Sequence, residues 1–334
     1  MAGGFGTEFT PEMIMSKFDG TAWSSPVFVA SDSLTIHPAA HVLHYASTCF
    51  EGLKAFKHDD GRVVLFRIDR NVARFARSSD ALCLPPIDTK LLTSMIIDIV
   101  NKYQGQIPAP PGSFYIRPTH IGMDAAIGKA AAASTTSMQY VLVSPVGDYF
   151  STGEKALRLL VDDVHMRCAP DHGRVKGGGN YASALKHIVK AQQECQADQV
   201  LFCPEGDVQE TGAANFMVFT DNTLITKPLD ESFLHGVTRD TVLQLAKDHG
   251  IQVIERDFTV NELLDYAALP GCEAALSGTA AVLASVGTLI YQGKEHLVGD
   301  GKPGATVRKL RQALNDIQWG RAEDSHQWLT FVGD

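Results

Sequence analysis

A lysine beside three glycines is the first feature of this sequence that could do covalent chemistry. In Arg174-Val175-Lys176-Gly177-Gly178-Gly179-Asn180-Tyr181, the glycines leave the backbone without Cβ atoms next to an amine, so a bulky group can approach. An amine set among apolar strands and away from a carboxylate loses solvation of its charged form, and a neutral amine can form a Schiff base. On residue type alone, the same lysine reads first as a solvated loop residue beside a flexible glycine turn. A nucleotide-type phosphate loop does not fit, because that device places its lysine after the glycines and follows it with Ser or Thr.

Three further segments suit an anionic, ring-containing ligand. Gly236-Val237-Thr238 precedes a helical pattern with Val242, Leu245 and Ala246 on one face and Gly250 at its end. The free N–H groups and positive dipole end of such a helix attract phosphate, although Thr238 could also be a plain N-cap. Ser277-Gly278-Thr279-Ala280 is a turn offering two hydroxyls and backbone amides to an anion, and an ordinary loop would look the same. Glu210, in DVQETGAANF, stands where a strand runs into a Gly-Ala turn, with a surface carboxylate as the plain alternative.

Around these segments, RVVLFRI and SFYIRP read as strands, and RNVARFARSSDAL as a helix with Val72, Phe75 and Ala76 on its apolar stripe and Arg74 and Arg77 off it. TKLLTSMIIDIVNKYQG is a second helix. Glycine, aspartate and serine cluster between the strand-like MQYVLVS and ALRLLV, which suggests a small α/β domain over 1–146, a connector over 147–154 and a larger domain over 155–334. Beyond the connector, strands and helices alternate, so the class is mixed α/β. A length of 334 residues favours two domains.

Composition narrows the function further. A formal net charge of -9 leaves no basic excess for nucleic acid or an anionic membrane. The six cysteines are scattered singly, which fits a reducing cytoplasm rather than a disulfide framework. No apolar run approaches the roughly 20 residues of a membrane span, and MAGGFGTEF lacks the pattern of a signal peptide. No histidine pair joins a cysteine cluster at zinc spacing, and no G-x-S-x-G elbow occurs. Gly299-Asp300-Gly301-Lys302-Pro303-Gly304 matches G-x-G-x-x-G literally, but too little chain follows for a dinucleotide-binding half.

Taken in order and spacing, Lys176–Tyr181, Glu210–Phe216, Gly236–Asp240 and Ser277–Ala280 resemble the class IV aminotransferases, specifically the branched-chain aminotransferases. HYASTCFEGLKAF at 44–56, RIDRNVARFARS at 67–78 and FYIRP at 114–118 extend the resemblance into the first half. It implies pyridoxal-phosphate fold type IV, with two domains and the cofactor at their interface. It also implies transfer of the amino group of L-Leu, L-Ile or L-Val to 2-oxoglutarate, in branched-chain amino acid biosynthesis or degradation.

The resemblance implies roles residue by residue. Lys176 is the catalytic Schiff-base lysine for pyridoxal 5'-phosphate and the proton shuttle at Cα. Glu210 sits against the pyridine nitrogen and Tyr181 against the phenolic oxygen. Arg74, Val237, Thr238, Ser277 and Thr279 hold the phosphate, and no metal is required. Tyr45, Phe50, Tyr115 and Tyr149 wall an aromatic substrate pocket. Tyr115 and the amides around Thr279 and Ala280 take the α-carboxylate, and Arg117 takes the distal carboxylate of glutamate or 2-oxoglutarate. His120 and Met123 fall in a loop bordering that pocket. Some relatives carry a C-x-x-C after the SGTA turn where this sequence has Ala281 and Ala284, so a thiol switch there is not expected. The partners implied are amino acids and 2-oxo acids, and the assembly a homodimer or dimer-based oligomer. The rival readings are a D-amino-acid aminotransferase, an aminodeoxychorismate-lyase-like enzyme, and a cofactor-binding protein without turnover.

Overall fold

The computed structural model describes residues 5–147 and 153–333. The chain divides into two compact units, one made of 1–149, 175–179 and 317–334, the other of 150–174 and 180–316. The second half of the chain thus gives two pieces to the first unit: the short segment carrying Lys176, and the C-terminal segment.

In chain order, the first unit contains β1 (Glu12–Phe18), β2 (Val27–Ala30), α1 (His41–Tyr45), β3 (Thr48–Phe50), β4 (Leu53–Lys57), β5 (Val63–Phe66), α2 (Ile68–Ala81), α3 (Thr89–Tyr103), β6 (Ser113–Gly122) and β7 (Ser137–Val146). The second has β8 (Leu157–Asp162), α4 (Gly178–Cys195), β9 (Gln199–Phe202), β10 (Asn215–Thr220), β11 (Thr223–Thr226), α5 (Val237–Asp248), β12 (Gln252–Glu255), α6 (Val260–Ala267), β13 (Glu273–Gly278), β14 (Val282–Tyr291), β15 (Lys294–Leu297) and α7 (Ala305–Gln318). β16 (Leu329–Val332) then returns to the first unit and pairs antiparallel with β5. The sequence alone places this end of the chain in the larger domain. LTFV carries no mark of its partner, which lies far back along the chain.

In the first unit the strand order is β16-β5-β4-β6-β7-β1-β2, with β3 pairing β6. One face of this sheet is closed by α2 and α3, whose Val72, Phe75, Leu92, Met95, Ile96 and Ile99 pack on Leu53, Leu65, Phe114, Ile116 and Val143. α3 starts cleanly because Asp88 accepts the N–H groups of Lys90 and Leu91, both at 3.0 Å. Along β6, Phe114, Ile116 and Pro118 are buried, whereas Tyr115, Arg117 and Thr119 are only half-buried. The strand's period of two therefore assigns one face to the core and leaves the other half-buried.

The second unit is built on the order β12-β11-β10-β13-β14-β8-β9, with β15 on β14. The β8–β9, β8–β14 and β11–β12 pairs are parallel and the rest antiparallel. Val161, Leu201, Phe216, Val218, Leu276 and Leu289 form its core with Phe258, Val260 and Leu263. The G-x-G-x-x-G look-alike is a turn before α7. Glu273 occupies that helix start, accepting from Thr306 and Val307 at 2.9 Å each, so a carboxylate of the protein fills the place a dinucleotide phosphate would need.

Candidate active site

Lys176 is half-buried and held by its backbone. Its N–H donates to Ser78 Oγ at 3.1 Å and its carbonyl accepts from Phe50 N at 3.0 Å, while Gly177 bridges to Cys49. The amine lies over the Phe50 ring, 5.0 Å from its centroid. Of the three glycines expected to form an open turn, Gly178 already begins α4, and a Cβ on Gly179 would meet nothing within 4 Å. Lys227, in the second unit, is set among carboxylates. Burial works against its charge, but Asp257 and Asp207 outweigh it and hold its pKa above the ordinary value, with Asp257 Oδ1 at 2.6 Å. Lys227 is thereby fixed as a cation.

The Phe50 ring also receives Arg117, whose Cζ stands 4.6 Å from its centroid and 5.2 Å from that of Tyr115. Arg117 Nη2 donates to Tyr115 Oη at 3.0 Å, and its buried Nε has no hydrogen-bond partner. Gly52 makes room for this arrangement, because a Cβ there would lie 2.1 Å from Tyr115 Oη. Phe50 pairs with Thr119 and Thr119 with Tyr140, so Phe50, Tyr115, Arg117, Thr119 and Tyr140 share one face. Burial raises the Tyr140 hydroxyl's pKa, opposed by Thr119 and Arg117. Tyr45 is half-buried with its ring 4.8 Å from that of His41, and its hydroxyl donates to Ile127 O. Tyr149 lies outside the described residues.

Arg74 keeps its sequence placement and His120 departs from it. Arg74 lies off the apolar stripe of α2 yet is buried, joined to Glu51 through Nε at 2.7 Å and Nη2 at 2.9 Å. The polar flank of α2 is a second buried face, carrying Asn71, Arg74, Ser78 and Ser79. His120 is within β6 rather than in a loop, and is fully buried, bonded through Nδ1 to Ser79 Oγ at 3.0 Å. Burial drives its pKa down to about 3. Met123 follows the end of β6 and bonds through its N–H to Thr136 O at 3.0 Å.

In the second unit Glu210 is 3% exposed, not a surface carboxylate. Arg167 Nε lies 2.7 Å from Oε1, Leu234 N donates to Oε1 at 2.9 Å, and Asn215 Nδ2 donates to Oε2 at 3.0 Å. Burial alone would lower the Arg167 pKa, but Glu210 first, then Cys168 and Tyr181, hold it above its ordinary value. Tyr181, half-buried in the first turns of α4, thus belongs to the surroundings of this ion pair.

Asn215 ties the acid to an anion-receptive helix end. It also donates to Leu234 O at 2.8 Å, and a Cβ on Gly236 would lie 2.0 Å from its Oδ1. Gly236, not Thr238, is the N-cap of α5, and no side chain caps that helix. Val237 and Thr238 are therefore its first two residues, and their N–H groups carry the positive end of the dipole. Ser277, paired with Asn215 across β13 and β10, is 2% exposed and its Oγ has no hydrogen-bond partner. Thr279 and Ala280 form the turn after it, and Val282, which closes the turn, has φ 63°. A β-branched residue in that left-handed region costs roughly 1–3 kcal/mol. The turn is held under strain where small residues and hydroxyls converge.

Residues 48–286 match the family model described as amino-transferase class IV. The chain belongs to the class IV aminotransferase family. It is 36% identical to branched-chain-amino-acid transaminase 1 of Bacillus subtilis, over 98% of this chain and 94% of that protein. It is also 34% identical to the cytosolic branched-chain-amino-acid aminotransferase of Saccharomyces cerevisiae, over 99% and 92% respectively. Among solved structures, the T.th. branched-chain amino acid aminotransferase with pyridoxamine 5'-phosphate superposes with a TM-score of 0.80 at 25% identity, covering 96% of this chain and 98% of that one. The architecture is the α/β fold type IV of these enzymes.

Sequence reasoning missed Arg167, Asn215, Glu51, Ser78, Thr119 and Tyr140. A period-two reading of FYIRPTH could have marked Thr119 as a neighbour of Arg117. The other five gain their place only through strand pairing or long-range contacts.

Proposed function

We infer that this chain is a branched-chain amino acid aminotransferase, moving the amino group of L-Leu, L-Ile or L-Val to 2-oxoglutarate with pyridoxal 5'-phosphate bound to Lys176. The observation carrying this reading is the Phe50 ring, which touches both the Lys176 amine and the Arg117 guanidinium. One aromatic wall borders the amine that would carry the cofactor and the cation that would receive a distal carboxylate. An apolar wall with a cation at its edge suits both an aliphatic side chain and glutamate.

The second unit fits a phosphorylated pyridine on its own observations: an unpartnered buried hydroxyl at Ser277, an uncapped α5, and a buried acid held by two hydrogen-bond donors beside the Arg167 guanidinium. When bound, the cofactor supplies an aldehyde carbon and a cationic ring that accepts electron density from the substrate's Cα. Lys176 would hold that aldehyde and would move the proton at the substrate's Cα. Glu210, beside the Arg167 guanidinium and accepting from Asn215 and Leu234, would favour a proton on the pyridine nitrogen. Thr238, Val237, Ser277 and Thr279 would hold the phosphate by N–H and O–H donation, and Arg74, whose direction Glu51 sets, would add a cation. Tyr181 would donate to the phenolic oxygen. Tyr115, Thr279 and Ala280 would receive the α-carboxylate, while Tyr45 and Phe50 would exclude water from the side-chain pocket.

The protein works as a homodimer in the cytoplasm, on this reading. Leu185 and Val189, a turn apart on α4, expose apolar surface suited to a second copy, and all six cysteines are free thiols. No helix among the described residues is long and apolar enough to cross a membrane. Light scattering on the purified holoenzyme tests the dimer. For the activity, a spectrophotometric half-reaction panel should show L-leucine, L-isoleucine, L-valine and L-glutamate converting the cofactor. Conversion by D-amino acids alone would replace this reading with that of a D-amino-acid aminotransferase.

A further inference from the structure

Away from the residues assigned above, β8 ends at Asp162, whose Oδ1 accepts the N–H groups of Val164 at 3.0 Å and His165 at 2.9 Å. The turn folds His165 back onto the same carboxylate, with Nδ1 3.1 Å from Oδ1 and 3.0 Å from Oδ2. His187 arrives from α4, its ring set edge-on to Phe202 at 6.1 Å and 83° and 4.2 Å from the His165 ring. Its Nδ1 stops 3.9 Å from Asp162 Oδ2. That is too long for a hydrogen bond, so hydrogen bonding explains His165 and leaves His187 unexplained.

A divalent ion explains both. One donor atom from each of the three residues lies within 4.8 Å of the others. Ligands bonded at roughly 2.0–2.2 Å to a tetrahedral ion stand about 3.4 Å apart, a value between the 3.0 Å and 3.9 Å found from Asp162 to the two imidazoles. The Asp162 side chain is 12% exposed and that of His187 25%, while His165 is 54% exposed. Solvent can therefore complete the coordination shell from the His165 side.

We propose that Asp162, His165 and His187 form a binding site for a transition-metal ion of the Zn²⁺ type. Two imidazole nitrogens and one carboxylate suit Zn²⁺ or Co²⁺, whereas Mg²⁺ and Ca²⁺ call for oxygen ligands throughout. The site is structural. His165 stands two residues before Arg167, so an ion here fixes to α4 the start of the loop that brings Arg167 to Glu210.

The test uses untagged, chelator-treated holoenzyme, titrated with Zn²⁺ in a calorimeter and with Co²⁺ followed by its visible d–d absorption. The expected result is one ion per chain, an imidazole-type Co²⁺ spectrum and a raised Tm with Zn²⁺. His187→Gln should weaken binding by at least about tenfold. Asp162→Asn keeps an oxygen acceptor for the turn and should do the same, and His165→Gln, at an exposed position, serves as a third variant. An unchanged cofactor absorbance shows that each variant is folded. Absence of stoichiometric binding in the parent enzyme, or parent-like binding by His187→Gln and Asp162→Asn, would overturn the site and leave a plain Asp–His hydrogen bond.

Discussion

Replacing Arg117 with Met should separate the two substrates that one pocket accepts. The guanidinium is clamped between the Phe50 and Tyr115 rings and fixed at one end by Tyr115 Oη, with a buried Nε left unpartnered. A distal carboxylate binding there gains two charge-assisted hydrogen bonds, each worth about 1.5–3 kcal/mol. Desolvation of that carboxylate offsets part of the sum, leaving about 3 kcal/mol, or roughly a hundredfold at 1.4 kcal/mol per decade. Methionine keeps the length and apolar stem. The L-glutamate half-reaction should therefore lose about a hundredfold in kcat/KM, while L-leucine changes by less than about tenfold. Arg117→Lys should restore little, since a point charge cannot reproduce the planar fork between two rings. Single-turnover absorbance of the cofactor reads both half-reactions in one instrument. Equal losses for leucine and glutamate would refute the assignment and make Arg117 a structural residue.

Other consequences follow from the buried groups. Arg167→Met leaves Glu210 as an uncompensated buried charge and should cost about 3–5 kcal/mol in denaturant unfolding of the cofactor-free protein, with Glu210→Gln on the same background recovering much of it. A negligible loss in Arg167→Met would mean the pair carries no stability. Ser277→Ala removes a buried hydroxyl without a partner, so the cofactor-free protein should be as stable or more so, by up to about 1–3 kcal/mol, while pyridoxal-phosphate affinity falls. Unchanged affinity would take Ser277 out of the phosphate site. His120, with its pKa driven down to about 3 by burial, is neutral when folded, whereas the unfolded chain protonates it near pH 6.5. Its contribution is fully present above pH 6.5 and lost as pH falls toward 3, because only the unfolded state takes up the proton over that window. Thermal unfolding of His120→Asn should fall less steeply than the parent's between pH 6.5 and 4, and parallel curves would contradict this.

What the sequence could reveal follows the range of the interaction. Lys176, Gly236–Thr238 and Ser277–Thr279 are marked by local chemistry, namely glycines beside an amine and hydroxyls beside a helix start. Glu210 is legible only as one carboxylate among many. Its burial depends on Arg167, contributed by a segment before α4, and on Leu234 at the approach to α5. Likewise, helical periodicity places Arg74 off the apolar stripe but cannot show that Glu51, from the β3–β4 turn, waits for it there. The partner of β16 and the burial of His120 in β6 are set by strand pairing and sheet packing, which local patterning does not encode. Asp162, His165 and His187 show the same limit, since zinc spacing is a local signal and this trio assembles across a strand end and a helix.

The proposed chemistry is covalent: the amine of Lys176, resting on Phe50, would carry pyridoxal 5'-phosphate. Borohydride reduction of the holoenzyme followed by peptide mass spectrometry measures this directly. The expected result is loss of the visible absorbance and a single phosphopyridoxyl adduct on Lys176, absent in Lys176→Ala together with all turnover. An adduct on Lys186 or Lys190, or none in cofactor-saturated protein, would contradict it.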